Sequence, residues 1–598
     1  MSFSKAIVYP GNPGTERGVS TKLSASKEKI VYTNGKAVFI RDINDPALSI
    51  VYTGHVQNTT VARVSPTGYY CASADAAGNV RVWDTVGDDQ ALKGEYKVIS
   101  GRVNDLEWDG ESKRIIAVGD GREKFGHAFM FDTGTSTGEI GGHSKAINAV
   151  SIRHQRPFRA ATAADDNTIV FHQGVPFKYD KTIKTHTKFV QDLRYALSGD
   201  HFASVGSDGK IFLYDGKTGD TLGEFEEGHK GTAYGVSWSP DSRAIVTASA
   251  DTTVKLWDVE TRKATAVYSF GSGVDNHQVG TVWSAPDTIV SLSMSGALNV
   301  FDKRSGDKPV KVLHGPQRGI TSATAATQGT FVVGTADGRV LSYDAAGVAS
   351  VVEGSGHSAF VSSIAAGTDG KVFSSGFDDR VREVDGQAFT PASFSTDSQP
   401  KSIAVAGDGT VFVAESKVVE AVRSNQKVAE LKLSATPSAV AANGSQVAVG
   451  SEDQKVRLYN WDGKALSEVA VLEGNKGVVS ALAFSPDGSK LASGDSSGKI
   501  VLFDAKERKA ITSRWSFHSA RVNSLAWTAD SQHCASGSLD THIYVWSVQK
   551  PLKNIGIKNA VAGGVNAVLW KQSGDKKAVL VGAGADTAIR VWEITFHA

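Results

Sequence analysis

An all-β fold of short antiparallel strands is what this sequence predicts, and three observations lead there. Glycine is plentiful, 62 of 598 residues, with no Gly-X-Y period, which marks many tight turns. Hydrophobic residues make up 40% and charged residues 21%, a globular balance that excludes a collagenous or wholly disordered chain. One strand phrase also recurs along the whole length at a spacing of roughly 42 residues.

The phrase is an alternating strand that closes on an aromatic residue and an acid. It reads VRVWD at 80–84, FMFD at 129–132, IFLYD at 211–215, VKLWD at 254–258, LNVFD at 298–302 and VLSYD at 340–344. It returns as VRLYN at 456–460, IVLFD at 500–504, IYVWS at 543–547 and IRVWE at 589–593. Weaker copies are VFIRD at 38–42, IVFHQ at 169–173, VREVD at 381–385 and VVEAV at 418–422, about fourteen in all. The period is that of a WD40 repeat, one four-stranded blade of a β-propeller. Four to eight blades close a ring, so fourteen predict two seven-bladed propellers in tandem with four-stranded antiparallel blades.

Counting strands sets the boundaries. The segment 308–315 supplies an outer strand to the seventh blade, which predicts a first propeller over 10–315 and a second over 316–598. Little chain follows the fourteenth phrase, while an unassigned strand lies at 2–9; that strand is expected to complete the last blade. Two chain crossings then join the rings, near 10–17 and 315–319, and should make a stiffer connection than one.

A histidine often stands 28 residues before the terminal aromatic: His55 before Trp83, His186 before Tyr214, His229 before Trp257 and His518 before Trp546. Two repeats carry a full set, His229, Thr247, Asp251 and Trp257, and His518, Ser536, Asp540 and Trp546. The sets repeat, include Trp and lack a Gly-x-Ser-x-Gly elbow, so they read as scaffold tying a turn to inner strands rather than as hydrolase triads. Three repeats depart from the pattern: 128–132 has no histidine in place, 589–593 has Gly564 there, and in 80–84 the turn acid is Asp75. Packing is expected to hold those blades.

Charge and cysteine exclude further classes. With 64 basic and 63 acidic residues the net charge is +1, so no global field attracts nucleic acid, and no apolar run nears the ~18 residues of a membrane helix. The two cysteines, Cys71 and Cys534, form no metal knuckle, no cofactor or HExxH motif occurs, and a reducing, cytoplasmic setting is expected. The largest irregular stretches are 87–100, 119–131 and 173–186, read as insertions where function sits on a rigid scaffold.

Several phrases between the repeats are more particular: GDGREKFGHAFMFD at 119–132, GHSKAINAVSIRHQRPFRAATAADDNTIVFHQGVPFKY at 142–179, HTKFVQDLRY at 186–195, GHKGTAYGVSWSPDS at 228–242 and FHSARVNSLAW at 517–527. In these the chain resembles the actin-interacting protein 1 family. The resemblance implies a monomeric, non-catalytic partner of F-actin and cofilin that promotes disassembly of cofilin-decorated filaments and caps their barbed ends. It also implies a site on the first propeller at Glu123, Asp165 and Tyr179, the last a departure from Phe. Neighbours Arg122, Lys124, Phe125, Phe177 and Lys178 extend it by proximity. Aromatic rings among charges of both signs suit an interface centre with a polar rim. Asp166, six before His172, reads instead as a blade-turn aspartate, and His172 as a filler of the aromatic slot. Phe177 is open to a second reading, a ring packed between blades, and Glu123 with Lys124 to that of a solvated loop. A generic WD scaffold would carry a helical domain or basic tail, and an enzyme would need acids or histidines converging on a channel; neither pattern is present.

Overall fold

A computed structural model describes residues 2–87, 89–574 and 576–596. Among them fourteen antiparallel sheets form, thirteen ordered sequentially from an inner to an outer strand. Blades 1–7 span 24–52, 59–97, 102–139, 147–183, 190–224, 233–269 and 278–313. Blades 8–14 span 320–351, 361–395, 402–432, 437–472, 479–515, 522–557 and 565–595. The chain divides into two compact units, passing between them at 11–12 and 317–318, with 46–48 grouped with the second.

In the unit of 12–317 the seven blades close on themselves, the inner strand Gln278–Ala285 lying beside Ser24–Ser26, with Thr21 N–H bonded to Val279 O at 2.9 Å. Buried Asn12 donates to Gly296 O and Leu313 O and accepts from Arg41. In the unit of 318–598, Asn566 of blade 14 donates to Ile320 O of blade 8 at 2.8 Å. Similar amide and hydroxyl links join successive inner strands, such as Asn148 to Val190 O and Asn523 to Val565 O.

The core lies between blades, and strand alternation builds it. In Ile211–Asp215, Ile211 and Leu213 pack with Val236, Trp238 and Ile245 of blade 6. Phe212 and Tyr214 point the other way, toward Phe171 of blade 4. A period of two thus feeds two separate cores, which is why third strands such as IFLYD and IVLFD read as apolar up to their terminal acid.

Blade 14 takes its outer edge from the start of the chain. Ser2–Phe3 pairs antiparallel with 594–595 and Ile7–Tyr9 with 589–591, while Ser4 Oγ accepts from Glu593 N–H between them. The three stretches expected as insertions are a correction. Each contains a regular blade strand, Leu92–Lys97, Gly126–Met130 and Lys178–Ile183. The outer strands 92–97 and 178–183 leave one face to solvent, so their sequences lack the apolar alternation of inner strands.

Candidate functional site

The histidine sets form continuous hydrogen-bond chains. Trp257 Nε1–H donates to Thr247 Oγ1 at 2.9 Å, which frees the hydroxyl hydrogen for His229 Nε2 at 2.7 Å; His229 Nδ1–H then reaches Asp251 at 3.0 Å. Asp251 also accepts the backbone N–H groups of Lys230 and Thr253, pinning the turn. Burial alone would raise Asp251, but bonds from His229 and Thr253 outweigh it and hold the carboxyl below the usual range, while burial lowers His229. The imidazole is therefore neutral and the carboxylate ionised at neutral pH. The second set repeats the hydrogen-bond chain, with Trp546 to Ser536 at 2.8 Å, Ser536 to His518 at 2.8 Å and His518 to Asp540 at 2.9 Å.

Two further chains escaped the spacing argument. His143 bonds Asp166 at 3.0 Å and Thr162 at 2.9 Å, and Thr162 bonds His172, which stands where Trp stands elsewhere. His357 bonds Asp378 at 2.8 Å and Ser374 at 2.9 Å, with Val384 in the aromatic slot. The signal was the glycine before each histidine, Gly142 and Gly356. Blade 2 corrects another expectation: its chain is kept, Trp83 and His55 both bonding Ser73, with Asp75 entering two residues earlier, 3.5 Å from His55. Packing alone does not hold it. In blade 14, Asp586 pairs with Arg590 at 2.7 Å instead of a histidine.

One prediction follows directly. Asp540→Ala leaves His518 Nδ1–H and the N–H groups of Ser519 and His542 without their acceptor. Thermal or denaturant unfolding should show a loss of about 2 kcal/mol; a variant that melts like the wild type would show this carboxylate to be no part of the scaffold.

The surface patch is built on blades 3 and 4. Arg122, Glu123 and Lys124 are exposed on the turn 121–125, between strands Arg114–Asp120 and Gly126–Met130. Gly121 permits that turn, since a Cβ there would lie 1.9 Å from Lys124 O. Phe125 is half-buried against Ile116, Val118 and Ile140. Asp165 is half-buried on the turn after strand Arg159–Ala164; its N–H bonds Ala146 O and its Oδ1 accepts from Asn148 Nδ2 at 2.7 Å. Asp120, at the base of the first turn, shares a depression with Asp165, Arg102 and Phe189. Phe189 is 44% exposed, with Lys145 Nζ 5.8 Å from its ring centre, and was not singled out by sequence reasoning.

Tyr179, 53% exposed, opens the outer strand of blade 4 beside exposed Lys178. Its ring runs over Gly142, where a Cβ would lie 2.7 Å away, and its hydroxyl meets Thr182 Oγ1 at 3.1 Å. Phe177 is a correction: it is fully buried and offers no contact surface. Its N–H bonds Thr137 O and its C=O accepts from Glu139 N–H, which fixes it at the seam of blades 3 and 4 with its ring among Ile116, Ile140 and Ile152. The structure thus gathers Arg122, Glu123 and Lys124 on one turn, places Asp165 on the adjoining blade, sets Lys178 and Tyr179 on that blade's outer strand, and withdraws Phe177 into the core.

Among the described residues, Asp397, Glu420 and Glu430 have the spacing of a metal-ligand group. The Lys427 ammonium already sits among them, at 3.1, 2.6 and 2.9 Å. No helix among those residues is long and apolar enough to cross a membrane.

Comparison with known proteins places the chain. The WD domain, G-beta repeat family model matches 47–84, 177–215 and 219–258, each match ending at an aromatic-acid phrase. The model of the anaphase-promoting complex subunit 4 WD40 domain matches 442–530. Actin-interacting protein 1 of Drosophila melanogaster is 38% identical over 605 residues, covering 99% of this chain and 98% of its own. Actin-interacting protein 1 of Caenorhabditis elegans is 37% identical over 99% of this chain and all of its own, and an uncharacterised WD repeat-containing protein of Schizosaccharomyces pombe is 42% identical over the full length of both. With fourteen such blades and relatives aligned from end to end, the chain belongs to the actin-interacting protein 1 family of WD-repeat proteins.

Proposed function

We propose that this protein binds actin filaments decorated with cofilin, promotes their disassembly and holds the new barbed ends, acting in the cytoplasm without a catalytic step. The observation that carries this reading is the end-to-end relationship to proteins named for interacting with actin. The exposed turn of Arg122, Glu123 and Lys124, with Asp165, Lys178 and Tyr179 on the next blade, supports it by supplying an aromatic anchor within a polar rim. The histidine chains have no part in it, because every member is engaged in holding a blade.

Co-sedimentation with filamentous actin, with and without cofilin, tests the reading. Actin in the supernatant should rise only when all three proteins are present. No binding and no added soluble actin, with a cofilin from the same source, would leave a double propeller with a different partner.

A further inference from the structure

Blade 10 lacks the histidine chain, and different chemistry holds its turn. Glu415 takes the part that Asp251 plays in blade 6: its Oε2 accepts from the backbone N–H of Ser398 at 2.8 Å and from the Ser398 hydroxyl at 2.9 Å. Asp397 precedes that N–H, where blade 6 has His229, and bonds Lys427 instead. The hairpin that carries Glu415 brings up a second acid, Glu420, on the paired strand Val418–Arg423.

Both carboxyl groups are fully buried on one hairpin, where Val413 pairs with Glu420, Ala414 with Val419, and Glu415 N–H bonds Val418 O. Glu415 Oε1 and Glu420 Oε2 are both buried there without a hydrogen-bond donor. Two ionised carboxylates have no hydrogen to share, so the pair requires one bound proton. The charged groups packed against the pair are Lys427 and Glu430, from the outer strand Gln426–Lys432, and Asp397, from the preceding turn. One ammonium therefore already serves three carboxylates, and a second negative charge on the pair would have no cation of its own.

We propose that the proton shared by Glu415 and Glu420 is a pH-sensitive latch on blade 10, which holds the turn 396–401 while bound and releases it when lost to solvent. Burial, and then the facing Glu420, push the Glu415 carboxyl above its ordinary range. The sign follows: a raised group holds fully below the open-state value near 4.5. Above that value the opened turn has released its proton while the closed one keeps it, so opening grows as the pH rises until the closed pair itself ionises.

Hydrogen exchange on the full chain, read by mass spectrometry and corrected for intrinsic base catalysis, tests this. Opening of 396–417 should rise about tenfold per pH unit from about pH 6 to about pH 8. The equivalent turn of blade 12, where Asp495 accepts from Lys476 N–H with no acid pair, should stay level. In E420Q the amide nitrogen donates to Glu415 and its oxygen still accepts from Lys427, so protection should persist and the slope vanish. A corrected exchange at 396–417 that ignores pH, or an E420Q slope equal to the wild type, overturns the latch. Should E420Q fail to fold, the wild-type profile decides alone.

Discussion

Lowering the pH from 7 to 4 will cost this protein several kcal/mol of stability, and His172 will account for the largest single share. Burial, helped by nearby His143, pushes the fully buried His172 imidazole down to about 3. Burial also lowers His55, His229 and His357, although Asp75, Asp251 and Asp378 oppose it. A base whose folded value lies below its unfolded 6.5 contributes fully above 6.5 and loses that contribution as the pH falls toward the folded value, because the unfolded chain takes up the proton first. At about 1.4 kcal/mol per pH unit, His172 alone gives roughly 3 kcal/mol by pH 4. Denaturant midpoints across this range measure it. His172→Phe should remove about that share, since Phe301 and Phe503 fill the same slot in other blades. An equally acid-sensitive variant would sink the argument. Further down, Asp166, Asp208, Asp251 and Asp540 are held low by their hydrogen bonds against the opposing effect of burial. Their contribution is present above 3.8 and lost below it.

Tyr179→Ala should lower cofilin-dependent release of soluble actin by at least about tenfold while leaving the melting temperature unchanged, because an exposed aromatic anchor carries energy only when a partner covers it. Glu123→Ala and Asp165→Ala should each weaken the same activity by a smaller factor. Asp165 will also lose its bond to Asn148, so a modest stability change is expected there and not at Glu123. The same assay run beside thermal unfolding separates the cases. Full activity in all three variants would remove this face from the proposed function.

The architecture was legible because the third strand of most blades is buried on both faces, so its largely apolar run and terminal aromatic recur often enough to set the period, although blades 1, 4, 9 and 10 lack the aromatic. The outer strands were not. LKGEYK at 92–97 packs one side only and alternates weakly, and it reads as loop until its pairing with 79–83 is seen. The patch was half legible. Phe177 and Tyr179 stand two residues apart, the spacing of one strand face, yet one is buried and the other exposed, because the strand begins only at Lys178 and Phe177 bridges Gly138 of blade 3 instead. Glu415 and Glu420 look like ordinary surface acids, since nothing local announces that both side chains turn inward.

The borrowed edge of blade 14 sets a timetable. Tyr9 leaves the ribosome about 580 residues before its partner Ile589, a delay of roughly half a minute to two minutes at 5–20 residues per second. During that interval Ile7–Tyr9 has no strand to pair with, and its apolar side chains are open to chaperones and proteases. A nascent chain stalled before residue 589 should thus remain susceptible to cleavage near its start, however completely the blades of 24–313 have already folded.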